Sequence, residues 1–184
     1  MKGFILSILR HYKHKCEWFQ RNKLYNIWEK DTRRGEKNLA LHLYEYLHDQ
    51  GITFFIEPSS VSGEADLVAS QGDDEPLIAD AKIFDPEKSK DKQYIAKGFR
   101  QIYDYTLDYN EPVGFLVIFK TCEENLKFGL AHASQGTPYI QHNGKTIFFV
   151  TIDIFPYEES ASKRGKLKYV ELSEEDLYRV LKES

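Results

Sequence analysis

Residues 77–84 read Leu-Ile-Ala-Asp-Ala-Lys-Ile-Phe, an apolar run with an acid and an amine set two residues apart. Strand side chains alternate between faces, so Leu77, Ala79, Ala81 and Ile83 share one face, and Ile78, Asp80, Lys82 and Phe84 the other. A chain that stands Asp80 beside Lys82 in a strand otherwise built for burial must surround both charges with groups that accept them. The preceding segment, Glu64-Ala65-Asp66-Leu67-Val68-Ala69, repeats the feature, with Asp66 pointing away from Ala65 and Leu67. Between them Gln71-Gly72-Asp73-Asp74-Glu75-Pro76 is turn chemistry, which predicts an antiparallel hairpin of residues 64–70 and 77–84. A turn centred near Asp73 sets Asp66 opposite Asp80, with Cβ atoms about 5 Å apart. Two carboxylates at that distance repel by roughly 3 kcal/mol at an effective dielectric near 20. Protonation, a neighbouring amine or a bound cation must compensate, and Lys82 is one such partner.

A third acid joins this pair. Leu39, Leu43 and Leu47 share one face of a helix that ends near Gly51, and Glu36 heads that core-facing stripe one turn earlier. A first-turn Glu also favours the helix dipole. With Asp66 and Asp80 on the sheet, the expectation is that Glu36 faces the sheet as well. Three carboxylates offer hard oxygen donors, which suit Mg²⁺ or Mn²⁺.

The remaining chain frames this centre. Residues 4–29 predict a mainly helical segment and 52–57 a strand. Residues 92–109 predict a helix with a core stripe at Ile95, Phe99, Ile102 and Thr106, stopped by Asn110-Glu111-Pro112. Val113–Phe119 reads as a buried, parallel strand. Asn143-Gly144 between 139–141 and 146–154 is a hairpin signal. A strand over 168–172 leads to a helix begun by Ser173, with Asp176 three residues on. This order predicts an α/β fold with a mixed sheet.

With these elements in place, the chain resembles the PD-(D/E)XK phosphodiesterase superfamily. That family's pattern is a helical Glu, an Asp on the second core strand and Asp/Glu-x-Lys on the third, matched here by Glu36, Asp66 and Asp80-Ala81-Lys82. The resemblance covers about residues 32–120; Ala65 stands where the pattern has Pro. It implies a restriction-endonuclease-like mixed sheet, with a helix, three-strand meander, helix and strand as its core. A basic helical segment over 1–31 would precede a nuclease domain over 32–184, whose C-terminal part adds a β-hairpin and helix. Gln101 and Tyr105 form a Gln-x-x-x-Tyr element like that of the RecB-like exonuclease branch, with i and i+4 on one helix face. The resemblance implies Glu36, Asp66 and Asp80 as ligands of Mg²⁺ or Mn²⁺ and Lys82 as the catalytic amine. Gln101 and Tyr105 would support the site, and the reaction would be hydrolysis of DNA phosphodiesters. Lys97, Arg100 and Lys92 are candidates for contacting phosphates. RNA stays open as a substrate, as do two other readings: a non-catalytic nucleic-acid-binding or assembly subunit of the same fold, and an RNase or toxin-like effector working with a partner protein.

Charge qualifies the choice of partner. The chain of 184 residues has a net charge of −4, yet residues 1–34 carry nine Lys or Arg against three acids. The N-terminal segment is therefore +6 and the rest −10, a prior for an anionic partner on that segment. The same segment also suits a homodimer or a partner protein. Two cysteines, Cys16 and Cys122, make neither a disulfide framework nor a four-Cys metal site, so a reducing, cytoplasmic setting is expected. No apolar stretch approaches the ~20 residues of a membrane span. His11-x-x-His14-x-Cys16 has metal-like residue types but no evident fourth ligand.

Overall fold

Apolar alternation and turn residues dictate most of the elements in the computed structural model. It describes residues 2–52, 55–57, 66–71 and 75–183, with side chains described for 3–52 and 77–183. The helices are α1 (Lys2–Phe19), α2 (Arg21–Lys30), α3 (Gly35–Asp49), α4 (Lys92–Asp108) and α5 (Glu174–Lys182). The strands are β1 (Phe55–Glu57), β2 (Asp66–Gln71), β3 (Glu75–Phe84), β4 (Val113–Lys120), β5 (Asn125–Gly129), β6 (His132–Ser134), β7 (Thr137–His142), β8 (Lys145–Asp153) and β9 (Tyr169–Ser173). The expected strand positions Glu64 and Ala65, and the turn residues Gly72, Asp73 and Asp74, lie outside the described residues.

Seven strands form one mixed sheet in the order β1-β2-β3-β4-β8-β7-β6. β1, β2 and β3 are antiparallel neighbours, β3, β4 and β8 run parallel, and β8, β7 and β6 return antiparallel. A mixed α/β fold is therefore what the sequence builds. The finer alternation is visible in the burial. Leu77, Ala79, Ala81 and Ile83 join the core under α1, α2 and α3, whereas Ile78 and Phe84 join the core under α4 and α5. β4 is buried along its whole length, as a central parallel strand should be. The turn Asn143-Gly144 has φ of 47° and 75°, and His142 pairs with Lys145. Two positive φ values make a type I′ turn, which Asn-Gly tolerates best.

Three features go beyond the sequence expectation. The mainly helical segment expected over 4–29 is two helices, because Gln20 leaves helical geometry at φ −127°, ψ 10°. Strand β9 does not extend the main sheet; it pairs in parallel with β5, and that strand and β6 carried no clear signal. Helix α1 also packs closely. Ile5, Leu6, Leu9, Tyr12 and Cys16 of α1 are buried in the core shared with α3 and β8, each large side chain contributing about 1.5–3 kcal/mol by leaving water.

Candidate active site

β3 organises the site through its two edges and one face. On the β2 side the pairs are Gln71 with Glu75, Ser70 with Pro76, Ala69 with Leu77, Val68 with Ile78, and Leu67 with Ala79. This is the register expected from a turn centred near residue 73. One residue further along each strand stand Asp66 and Asp80, so the backbone brings these two positions to the same place in the hairpin. Asp66 also pairs with Glu57 of β1.

Asp80 and Lys82 project together from β3 toward α4. Lys82 Nζ lies 3.1 Å from Asp80 Oδ2, and the two side chains are only 7% and 5% exposed. Asp80 Oδ1 accepts a 2.8 Å bond from the Ala81 backbone N–H. Burying such a pair is costly unless its geometry is close and its remaining valences are met. Here α4 closes over it. Gly98 faces the Lys82 stem so closely that a Cβ there would stand 3.0 Å from Lys82 Cγ. Glycine in a helix interior costs about 1 kcal/mol against alanine, and this close approach is what it permits.

Glu36 enters from the opposite layer. Its Oε2 accepts from the Ile83 backbone N–H at 2.9 Å, and its Oε1 accepts from the Tyr94 hydroxyl at 2.6 Å. Lys90 Nζ stands 3.6 Å from Oε2. Ala81 and Ile83 present their N–H groups on the same edge of β3, and the carboxylates of Asp80 and Glu36 accept from them beyond the described pairs with β2. The first-turn Glu therefore faces the sheet, and Tyr94 links it across to α4. The Tyr94 ring lies 5.8 Å from Lys82 Nζ and 4.2 Å from Lys90 Nζ, within cation–π range.

Tyr94 was not singled out by sequence, although a signal existed. It precedes Lys97 by three residues and Gln101 by seven, on the stripe that also carries Gly98 and Tyr105. Gln101 Nε2 reaches the Tyr105 hydroxyl at 3.4 Å, and Tyr105 packs on the α4-side core. α4 runs antiparallel to β3. Gly98 touches Lys82, and Ile102 stands against Gly114, the register partner of Ile78. Gln101 thus falls near the level of Asp80 along the strand.

The three cations expected to contact phosphates part company. Lys97 is exposed. Lys92 Nζ lies 3.2 Å from Asp176 Oδ2, and Arg100 donates to the Val180 and Glu183 carbonyls. Lys92 and Arg100 therefore hold α5 against α4.

The donor chemistry of Glu36 and Asp80, carboxylate oxygen only, fits a hard divalent cation. Among the described residues no group of three or more His, Cys, Asp or Glu is arranged to hold a metal; the Asp66 side chain is not among them. His11-x-x-His14-x-Cys16 does not converge: Cys16 is buried in the core while His11 and His14 face solvent.

Two adjoining clefts lie at the carboxyl ends of β3, β4 and β8. One of about 570 Å³ is lined by Tyr25, Phe155, Tyr157 and Arg164 with Glu29, Glu123, Glu158 and Glu159. The other, of about 350 Å³, includes Asp85, Glu87, Cys122 and Glu124. Burial pushes the Asp85 carboxyl above its ordinary range and the Cys122 thiol up to about 12, so this thiol is a poor nucleophile. Acids outnumber the lining cations, Arg164 in the first cleft and Lys88 and Lys168 in the second, which disfavours phosphate there.

The fold and site together define a mixed α/β protein with a buried carboxylate–lysine pair on a central strand. Comparison with protein-family models, with curated protein sequences and with solved structures gives no match for this chain. No helix among the described residues is long and apolar enough to cross a membrane.

Proposed function

We propose that this protein is a metal-dependent nuclease of the PD-(D/E)XK type, hydrolysing phosphodiester bonds of DNA. The observation that carries the reading is the buried Asp80–Lys82 pair at 3.1 Å, on the strand whose next edge group, Ile83 N–H, is held by Glu36. A protein has little structural reason to bury such a pair where an apolar pair would serve as well or better. Glu36, Asp66 and Asp80 would hold Mg²⁺ or Mn²⁺. When bound, the cation supplies an acidified water and offsets charge on the phosphate.

The chain's own residues do the rest. Lys82 carries a compact ammonium with three donors, suited to orienting the attacking water or bonding the phosphate oxygen where charge develops. Asp80 fixes that ammonium and Tyr94 fixes Glu36. Gly98 lets α4 exclude water from the pair, which strengthens each of these interactions.

Incubation of circular and linear DNA with Mg²⁺, Mn²⁺ or EDTA tests the reading. Cleavage should require the metal and fall about 10²-fold or more in Asp80→Asn and in Lys82→Met. Removing one charge strands its buried partner, so Asp80→Asn/Lys82→Met, which removes both, should melt nearest the parent while remaining inactive. Metal-dependent cleavage by that double variant would refute the assignment.

One observation favours the non-catalytic reading: the Glu36 carboxylate is already engaged by Ile83 N–H, Tyr94 and Lys90. Metal titration separates the two, since a module that only binds or assembles has no need of Mg²⁺ or Mn²⁺.

A further inference from the structure

The two tryptophans of the chain have opposite environments. Trp28 is 1% exposed and belongs to the core, whereas Trp18 is 74% exposed and its neighbour Phe19 is 77% exposed. Aromatic side chains of this size ordinarily bury most of their surface. Both stand at the end of α1, where Gln20 turns the chain into α2. They are not isolated rings. His14 stacks on Trp18 with centroids 5.6 Å apart and planes at 27°, and meets Phe19 edge-on at 6.0 Å.

The exposed charges along α1 itself have one sign. The only acid in α1 is Glu17, and it is committed inward, to Lys13 at 2.8 Å and to the Asp153 backbone N–H at 2.8 Å. The solvent face of α1 therefore displays Arg10, His11, His14, Lys15, Trp18 and Phe19 with no carboxylate. The aliphatic face is consumed by the core, and the rings left exposed, Phe4 at one end of α1 and Trp18 and Phe19 at the other, make no continuous apolar stripe for a partner helix. The rest of the chain carries −10, and the clefts beside it are acidic. A polyanion is the ligand this face admits.

Rings select among polyanions. Bases stack on aromatic side chains regardless of sequence, while nearby cations follow the backbone. Stacking needs a base whose face is free, which a single strand offers and a duplex does not. The contacts of Lys13 with the Thr151 carbonyl and of Glu17 with Asp153 set the end of α1 over the carboxyl end of β8. Ile83, which Glu36 caps, lies at the same end of the sheet.

We propose that the solvent face of α1, with Trp18, Phe19 and His14 as stacking platform and Arg10 and Lys15 as phosphate contacts, binds single-stranded nucleic acid. The choice of a polynucleotide over other polyanions rests on the nuclease reading; the platform and its charge do not.

The test uses the full chain in EDTA, so that binding is read without cleavage. Labelled oligo(dT) and oligo(U) are titrated by fluorescence anisotropy, and tryptophan emission is followed in parallel. Trp28 is buried, so quenching by the oligonucleotide should come from Trp18 and vanish in Trp18→Phe. Trp18→Ala/Phe19→Ala should bind at least about tenfold more weakly, with an unchanged melting temperature because neither ring supports the core. Equal affinity in that double variant would overturn the proposal. So would an emission change with phosphatidylserine/phosphatidylcholine vesicles but none with either oligonucleotide. Loss of binding in the variant together with no Mg²⁺-dependent cleavage by the parent would remove the nuclease reading and leave this one standing. Cleavage with a dispensable α1 face would do the reverse.

Discussion

Tyr94 connects two layers of the molecule through a single hydroxyl. Its O–H reaches Glu36 Oε1 at 2.6 Å while its ring lies beside Lys82 and Lys90. Tyr94→Phe keeps the ring and deletes only the donor. A hydrogen bond to a charged group contributes about 1.5–3 kcal/mol to stability, so the melting temperature should fall by roughly 3–10 °C, and under the proposed nuclease reading cleavage should fall with it. The fold itself should survive, because Ile83 N–H still anchors Glu36. Parallel activity assays and thermal melts check this, and a large loss of stability with unchanged activity would make Tyr94 structural only.

At the scale of elements, α5 is the clearest case of a local signal read correctly. The Ser173 hydroxyl accepts from Asp176 N at 3.2 Å, and Asp176 Oδ2 accepts from Ser173 N at 3.0 Å and from Lys92 Nζ at 3.2 Å. The Ser173 backbone donor, with Lys92, holds the Asp176 carboxyl below its ordinary range. A depressed carboxylate stabilises the fold above its unfolded pKa of about 3.9, and that contribution is lost as pH falls through the lower folded value. α5 should therefore loosen below about pH 4, and Ser173→Ala should cost about 1 kcal/mol at neutral pH. Urea melts at pH 7 and pH 3 read both effects.

Much else that was legible is equally local. The hairpin register came from turn residues and alternation, and Asn143-Gly144 fixed its turn by the φ values it tolerates. The pairing of β5 with β9 depends on residues more than forty positions apart and leaves no periodic trace. The same holds for the site. The Asp80–Lys82 pair and the inward-facing Glu36 were readable from spacing. The diversion of Lys92 and Arg100 to α5 was not, because a surface cation carries no mark of its tertiary partner.

Over the whole molecule, alkaline pH acts through groups that burial keeps protonated. Burial raises Tyr12 and Tyr157 and pushes the Cys16 and Cys122 thiols up to about 12. In the unfolded chain these groups lose protons near pH 8.5 and 10. Their contribution is complete below those values and declines as pH rises toward the folded ones. Lys120, lowered by burial, acts in the opposite sense, but it is one group against several. The urea midpoint should thus fall between pH 8 and pH 10, and the fall should be smaller in Cys122→Ser.

The hold of Glu36 on Ile83 N–H has a consequence for how variants of this acid are read. A buried backbone donor left without an acceptor costs about 1–3 kcal/mol. The carboxylates of Asp80 and Glu36 accept from the Ala81 and Ile83 N–H groups of β3, doing for the strand what a ladder partner would. Truncating Glu36 would strand the Ile83 donor, so a weakened fold would accompany whatever that change does to chemistry.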